Sequence, residues 1–102
     1  MARRLQLHEK FCEILGTRNV YFQPPASVKL QYNCIVYKVS NRNDIRADNK
    51  QYRNLTAYEV KFIYHDPDSE IPEIIMHSFD YVMHDNTFVV DNLHHDVFTI
   101  YY

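Results

Sequence analysis

Residues 55–64, LTAYEVKFIY, constrain the fold more than any other stretch, because they sort by alternation into two chemically different faces. Thr56, Tyr58, Val60, Phe62 and Tyr64 share one side, and Ala57, Glu59, Lys61 and Ile63 share the other. Side chains on a strand point alternately to opposite faces, so the first set reads as core-facing and the second as mostly solvated. Ten residues at about 3.3 Å each reach about 33 Å, long enough to be the spine of a sheet. A polar segment leads into this strand and a sharp turn leads out of it.

A chain of 102 residues is long enough for one domain with one core, spanning residues 1–102, and too short to add a deep substrate cleft. Hydrophobic residues make up 46% and charged residues 24%, a folded composition. Nine tyrosines and six phenylalanines favour strands, and tyrosine joins apolar area to a polar tip that suits protein interfaces. The single glycine, Gly16, rules out glycine-rich phosphate loops and dinucleotide fingerprints. A formal charge of −2 without a long basic run is not the footprint of a duplex-DNA binder. Cys12 and Cys34 have no CxxC spacing and read as buried small hydrophobes, which fits synthesis in a reducing cytosol. No signal-peptide pattern follows the N-terminal arginines and no stretch approaches 18 apolar residues, so neither secretion nor membrane insertion is expected.

The chain opens with a helical pattern. Leu5, His8, Phe11, Cys12 and Leu15 fall on one face, widened by Leu7 and Ile14, while Arg4, Glu9, Lys10 and Glu13 stay outside and Gly16 caps the end. The run Val20, Tyr21, Phe22 then meets Pro24 and Pro25, which cannot donate to a ladder, so this is an edge strand entering a stiff extended connection. Residues 28–32 read as a further extended piece and residues 34–39 as the second clear strand. Residues 41–51, NRNDIRADNKQ, form an arm-like loop in which Arg42, Asp44, Arg46, Asp48 and Lys50 alternate in sign and screen one another. Its length exceeds an ordinary hairpin loop, so it is either a solvated tip or an arm that meets a neighbouring subunit.

After the spine, residues 65–69 (HDPDS) read as a turn, and Ser69 can cap a short helix over residues 70–76 with Pro72 in its first turn and Ile71, Ile74 and Ile75 covering the sheet. Residues 78–83 alternate as a strand, Asp85-Asn86 suits a turn, and residues 87–90 and 96–102 are the last strand-like runs. Aromatic content on both faces of the last run, with Phe98, Ile100 and Tyr102 on one side and Val97, Thr99 and Tyr101 on the other, places it inside the sheet. The expected class is α+β: an N-terminal helix and a second short helix packed on a mainly antiparallel sheet.

Residues that could carry chemistry are few. Asp66, Asp68 and Glu70 lack the glycine and distal glutamate of a calcium loop and read as turn and cap residues. His94-His95-Asp96, with His84-Asp85 upstream, is the best metal constellation, but adjacent residues on a strand point to opposite faces, so His94 and His95 do not converge on one ion. No nucleophile sits in an elbow and no glycines shape an oxyanion hole, so neither a catalytic site nor a cofactor is expected.

The opening helix ending at Gly16, the segment VYFQPPASVKLQYNCIVYKVS, the spine followed by HDPDSEIPE, and the closing DNLHHDVFTIYY together resemble the small tail-completion, or tail-terminator, proteins of siphovirus-type long-tailed phages infecting Gram-positive bacteria. The resemblance covers nearly the whole chain. It implies a structural virion protein, an α/β domain with helices flanking an antiparallel sheet. It also implies assembly as a hexameric ring that caps the tail tube and docks it onto the head connector, with DNA only passing through the lumen. A closed ring of identical subunits needs two different complementary patches on each copy. The candidates are the arm residues Arg42, Asp44, Arg46, Asp48 and Lys50, the proline segment at Pro24 and Pro25, and the polar strand face at Glu59 and Lys61. A head-closure or other neck protein of the same virion, and a small cellular protein-binding module, are the alternatives.

Overall fold

The computed structural model describes residues 3–40 and 55–102, and the expected arm at residues 41–51 lies outside the described residues. The described chain is an α+β arrangement with the order α1 (Arg3–Leu15), β1 (Val20–Phe22), β2 (Cys34–Val39), β3 (Ala57–Tyr64), α2 (Ile71–Ser78), β4 (Val82–Val90) and β5 (Leu93–Tyr101). The strands form one sheet in the order β1-β2-β3-β5-β4, antiparallel except for the parallel β1–β2 pair. The spine therefore occupies the middle, with β2 on one side and β5 on the other. Tyr58, Val60, Phe62 and Tyr64 are buried as alternation requires. Ile63, expected on the solvated face, is buried as well. The connection from β1 to β2 returns over this end of the sheet, where the Asn33 Oδ1 accepts the His65 N–H (3.1 Å) and the Tyr32 ring meets His65 edge-on.

Helix α1 packs on β1 and β2 through Leu7 and Phe11, both fully buried, with Ile14 and Leu15 continuing the stripe. Leu5 was expected on this face and is 44% exposed instead. Phe11 centres the buried face, against Tyr37 (5.1 Å between ring centroids) and Phe79 (5.7 Å), and at 3.6 residues per turn Leu7 lies about 40° from it around the helix and Leu5 about 120°, so Leu7 is covered and Leu5 is not. Tyr37 is the hub of this core. Its ring also meets Phe22 and Tyr58, and its hydroxyl donates to His8 Nδ1 (2.8 Å) while accepting from Arg4 (3.3 Å). Burial, aided by the charges of Arg4 and Arg18, lowers the His8 pKa, which keeps the ring neutral and able to accept. Gly16 ends the helix at φ +82°, donating its N–H to the Cys12 carbonyl (2.9 Å).

The second half departs from expectation in three places. Helix α2 runs to Ser78, whose hydroxyl donates back to the Ile74 carbonyl (2.6 Å), so the strand expected from residue 78 starts only at Val82. At its start the N-cap is Glu70, without a side-chain cap bond, and not Ser69 as expected; the Ser69 hydroxyl, one residue earlier, accepts the Ile71 N–H (3.3 Å), and Pro72 stands in the first turn as expected. Only Ile75 is fully buried, Ile71 packs partly, and Ile74 is exposed, because an eight-residue helix lying on a sheet covers one narrow stripe. Finally, Asp85-Asn86 is not a turn. Strand β4 passes through it with a bulge, the register stepping from His84↔Phe98 to Asn86↔Val97, and the reversal falls at Asp91-Asn92. Both of those residues have positive φ (53° and 64°), the signature of a two-residue type I′ hairpin turn between Val90 and Leu93.

Candidate interaction surface

The two edges of the sheet are built differently. On the β1 side, Gln23 sits at φ 45°, its N–H donating to the Tyr37 carbonyl (2.9 Å) and its side-chain Oε1 accepting the Val39 N–H (3.2 Å). The glutamine thus takes the place of a further strand residue, and Pro24 and Pro25 carry the chain away from an edge that cannot be extended. Behind this edge, alternation on β2 and β3 puts Val36, Lys38, Glu59 and Lys61 on the face away from the helices, with Val36 opposite Lys61 and Lys38 opposite Glu59. With Pro24 and Val39 they line a groove of about 580 Å³. Lys38 lies 3.9 Å from Glu59, an exposed pair that stabilises little, and Lys61 has no acidic partner among the described residues. A mixed lining of Val36, Val39 and Pro24 with the Lys38 and Lys61 ammonium groups suits an extended, carboxylate-bearing segment of another protein.

On the opposite side β4, nine residues long, is an edge strand that pairs only with β5 among the described residues. Met83, Val89 and Val90 are 44%, 56% and 49% exposed. Such an edge is a template for contact, and the bulge at Asp85 is the device that bends it. The Asp85 side chain, exposed at that bulge, accepts the hydroxyl of Thr99 on the neighbouring β5 (2.5 Å).

Beneath β4 lies a buried carboxylate. Asp96, 4% exposed, sits on the core-facing parity of β5 beside Phe98, opposite Phe62 of β3. One oxygen accepts the Tyr64 hydroxyl (2.5 Å); the other accepts Thr87 (2.6 Å) and meets His84 Nε2 (3.0 Å). Burial opposes ionisation of Asp96, but the bonds from Thr87, Tyr64 and His84 outweigh it and lower its pKa. The same contacts act in reverse on Tyr64, where burial and the neighbouring carboxylate push the phenol up to about 12. One side chain from β5 thereby clamps β3 and β4 together. His94 stacks on Tyr64 and His95 on Phe88, on opposite faces of β5, so they diverge as their adjacency requires. The one local signal for the Asp96 clamp is a carboxylate at core parity in a run otherwise apolar on that face, DVFTIYY.

Of the residues expected to form interfaces, Pro24, Glu59 and Lys61 are brought together in the groove, and Pro25 does not line it, its carbonyl accepting the Val28 N–H (3.1 Å). Arg42, Asp44, Arg46, Asp48 and Lys50 lie outside the described residues. Comparison with protein-family models, curated proteins and solved structures found no match to this chain.

Proposed function

We propose that this chain is a structural virion subunit that assembles into a ring, caps a phage tail tube and joins it to the head connector. The observation that carries the reading is the order of the motifs resembling tail-terminator proteins and where each falls in the fold. The PP motif follows the short edge strand β1, DPDS makes the turn from β3 to α2, with the Asp66 side chain accepting the Asp68 N–H (2.9 Å), and DNL is the reversal into the inner strand β5. These are junction residues that set the outline of the domain, and outline is what an assembly subunit must keep. Two unlike surfaces on opposite sides of one sheet also meet the requirement of a closed ring. The partners in this reading are further copies of the chain, the tail tube protein and the connector protein. DNA passes through the lumen without being held, and no catalytic step is involved. Among the described residues no helix is long and apolar enough to cross a membrane.

The test is mass measurement and electron microscopy of the purified protein, alone and mixed with tail tubes. Rings, free or seated at tube ends, are expected. A protein that stays monomeric and never caps tubes refutes the reading.

A further inference from the structure

The charges of the chain are divided along its length. All 11 lysines and arginines lie at or before Lys61, together with five of the 13 acidic residues, and the other eight acidic residues follow it. The two parts carry formal charges of +6 and −8, which account for the net −2. Among the described residues the part through Lys61 carries seven basic and three acidic side chains, a formal +4, and the sheet order separates its strands from β4 and the β4–β5 turn, which carry Asp85 and Asp91. Strands β1 and β2, with α1 packed on them, lie to one side of β3, while β5 and β4 lie to the other, and α2 packs against both α1 and β4. The groove thus presents the ammonium groups of Lys38 and Lys61, and the β4 edge presents the carboxylates of Asp85 and Asp91.

We propose that the groove of one copy receives the β4 edge of the next, in a head-to-tail contact that repeats around the ring. This pairing rests on the ring reading and specifies its interface. The chemistry matches at each level. Lys61, without an acidic partner among the described residues, and Lys38 face the Asp85 and Asp91 carboxylates carried by β4 and its turn. The exposed Met83, Val89 and Val90 meet the groove walls Val36, Val39 and Pro24. The same charge division disfavours the competing arrangement, two β4 edges paired about a twofold axis, because that brings acidic edge to acidic edge. An opposite-edge contact is heterologous, and only a heterologous contact propagates around a ring.

The test is a charge swap. Lys38→Glu with Lys61→Glu makes the groove side acidic; Asp85→Lys with Asp91→Lys makes the β4 side basic. Each double variant alone is expected to lose ring formation while keeping its circular dichroism spectrum. An equimolar mixture is expected to recover rings in which the two variants alternate, because each then offers the other a complementary side. If Asp85→Lys with Asp91→Lys fails to fold, Asp85→Asn with Asp91→Asn keeps the Thr99 acceptor and the turn preference. That neutral pair is expected to raise the protein concentration at half-assembly at least tenfold. Rings formed by the acidic-groove variant alone, a mixture of folded variants that does not recover, or an unchanged half-assembly point in the neutral pair overturns the pairing. Wild-type rings that ignore these charges refute this interface only, whereas a wild type that forms no rings alone or on tail tubes refutes the ring reading and the interface with it.

Discussion

Replacing Asp96 by asparagine tests whether the buried carboxylate holds the β4–β5 half of the sheet to the spine. The side chain keeps its shape and loses its charge. Hydrogen bonds to a charged group contribute about 1.5–3 kcal/mol each and neutral ones about 0.5–1.5 kcal/mol. Three donors converge on Asp96, from Tyr64, Thr87 and His84. Thr87 and His84 are exposed enough to turn toward water, so the loss is concentrated on the buried Tyr64 hydroxyl and on the asparagine nitrogen that now faces a donor. The expected cost is about 2–3 kcal/mol, which for a domain of this size lowers Tm by about 10–20 °C. Urea denaturation of wild type, Asp96→Asn, Tyr64→Phe and the double variant completes the cycle, with a coupling of about 1–2 kcal/mol expected. The pH dependence carries the sign. Asp96 has its folded pKa below the ordinary 3.8, so its contribution is fully present above that value and is lost as pH falls through the lower folded value. Asp96→Asn should remove that part of the acid slope. A variant within 0.5 kcal/mol of wild type, or strictly additive with Tyr64→Phe, refutes the clamp.

Four further perturbations address the rest of the fold. Phe11→Ala empties a fully buried site between Tyr37 and Phe79 and should cost about 3–5 kcal/mol by chemical denaturation, a large share of the stability of a small domain. Gly16→Ala meets nothing within 4 Å but must adopt φ +82°, so calorimetry should show a loss of about 1–2 kcal/mol, due to backbone strain alone. Tyr64 titrates near 12 when folded, so its contribution is present below the ordinary value of 10 and disappears as pH rises through about 12; alkaline melting curves of Tyr64→Phe should lack that loss. Burial raises the Cys34 thiol to about 11, so a thiol reagent at neutral pH should modify it only on unfolding, at a rate set by the opening of the sheet.

Where a sequence signal is local, it was enough to place the structure. The alternation of Tyr58, Val60, Phe62 and Tyr64, the cap at Gly16, the breaking of β1 by Pro24 and the aromatic run into Tyr101 all lead to the observed elements. What was not legible depends on partners distant in sequence. Asp85-Asn86 and Asp91-Asn92 carry the same turn chemistry, and only the ladder to β5 decides that the first becomes a bulge and the second the reversal. The choice between Leu5 and Leu7 as the buried row of α1 rests on where Tyr37 stands in the sheet. Asp96 looked like one member of a histidine-rich tail, and its role depends on Tyr64, a distant residue in sequence and a neighbour across the β3–β5 pair. The groove was legible as separate residues, Pro24 and the Glu59–Lys61 face, without a sign that they adjoin. The charge division at Lys61 is visible in the sequence, but it acquires meaning only once the sheet order sets the groove residues Lys38 and Lys61 apart from Asp85 and Asp91 at the β4 edge.

The central claim, that this domain is a ring subunit for a tail end, is tested most directly by the native mass of the wild-type protein bound to purified tail tubes and released from them. The expected result is one discrete species at six times the 12.3 kDa chain mass, seen by electron microscopy as a ring on one end of each tube. A 12.3 kDa monomer that leaves every tube end bare contradicts the account.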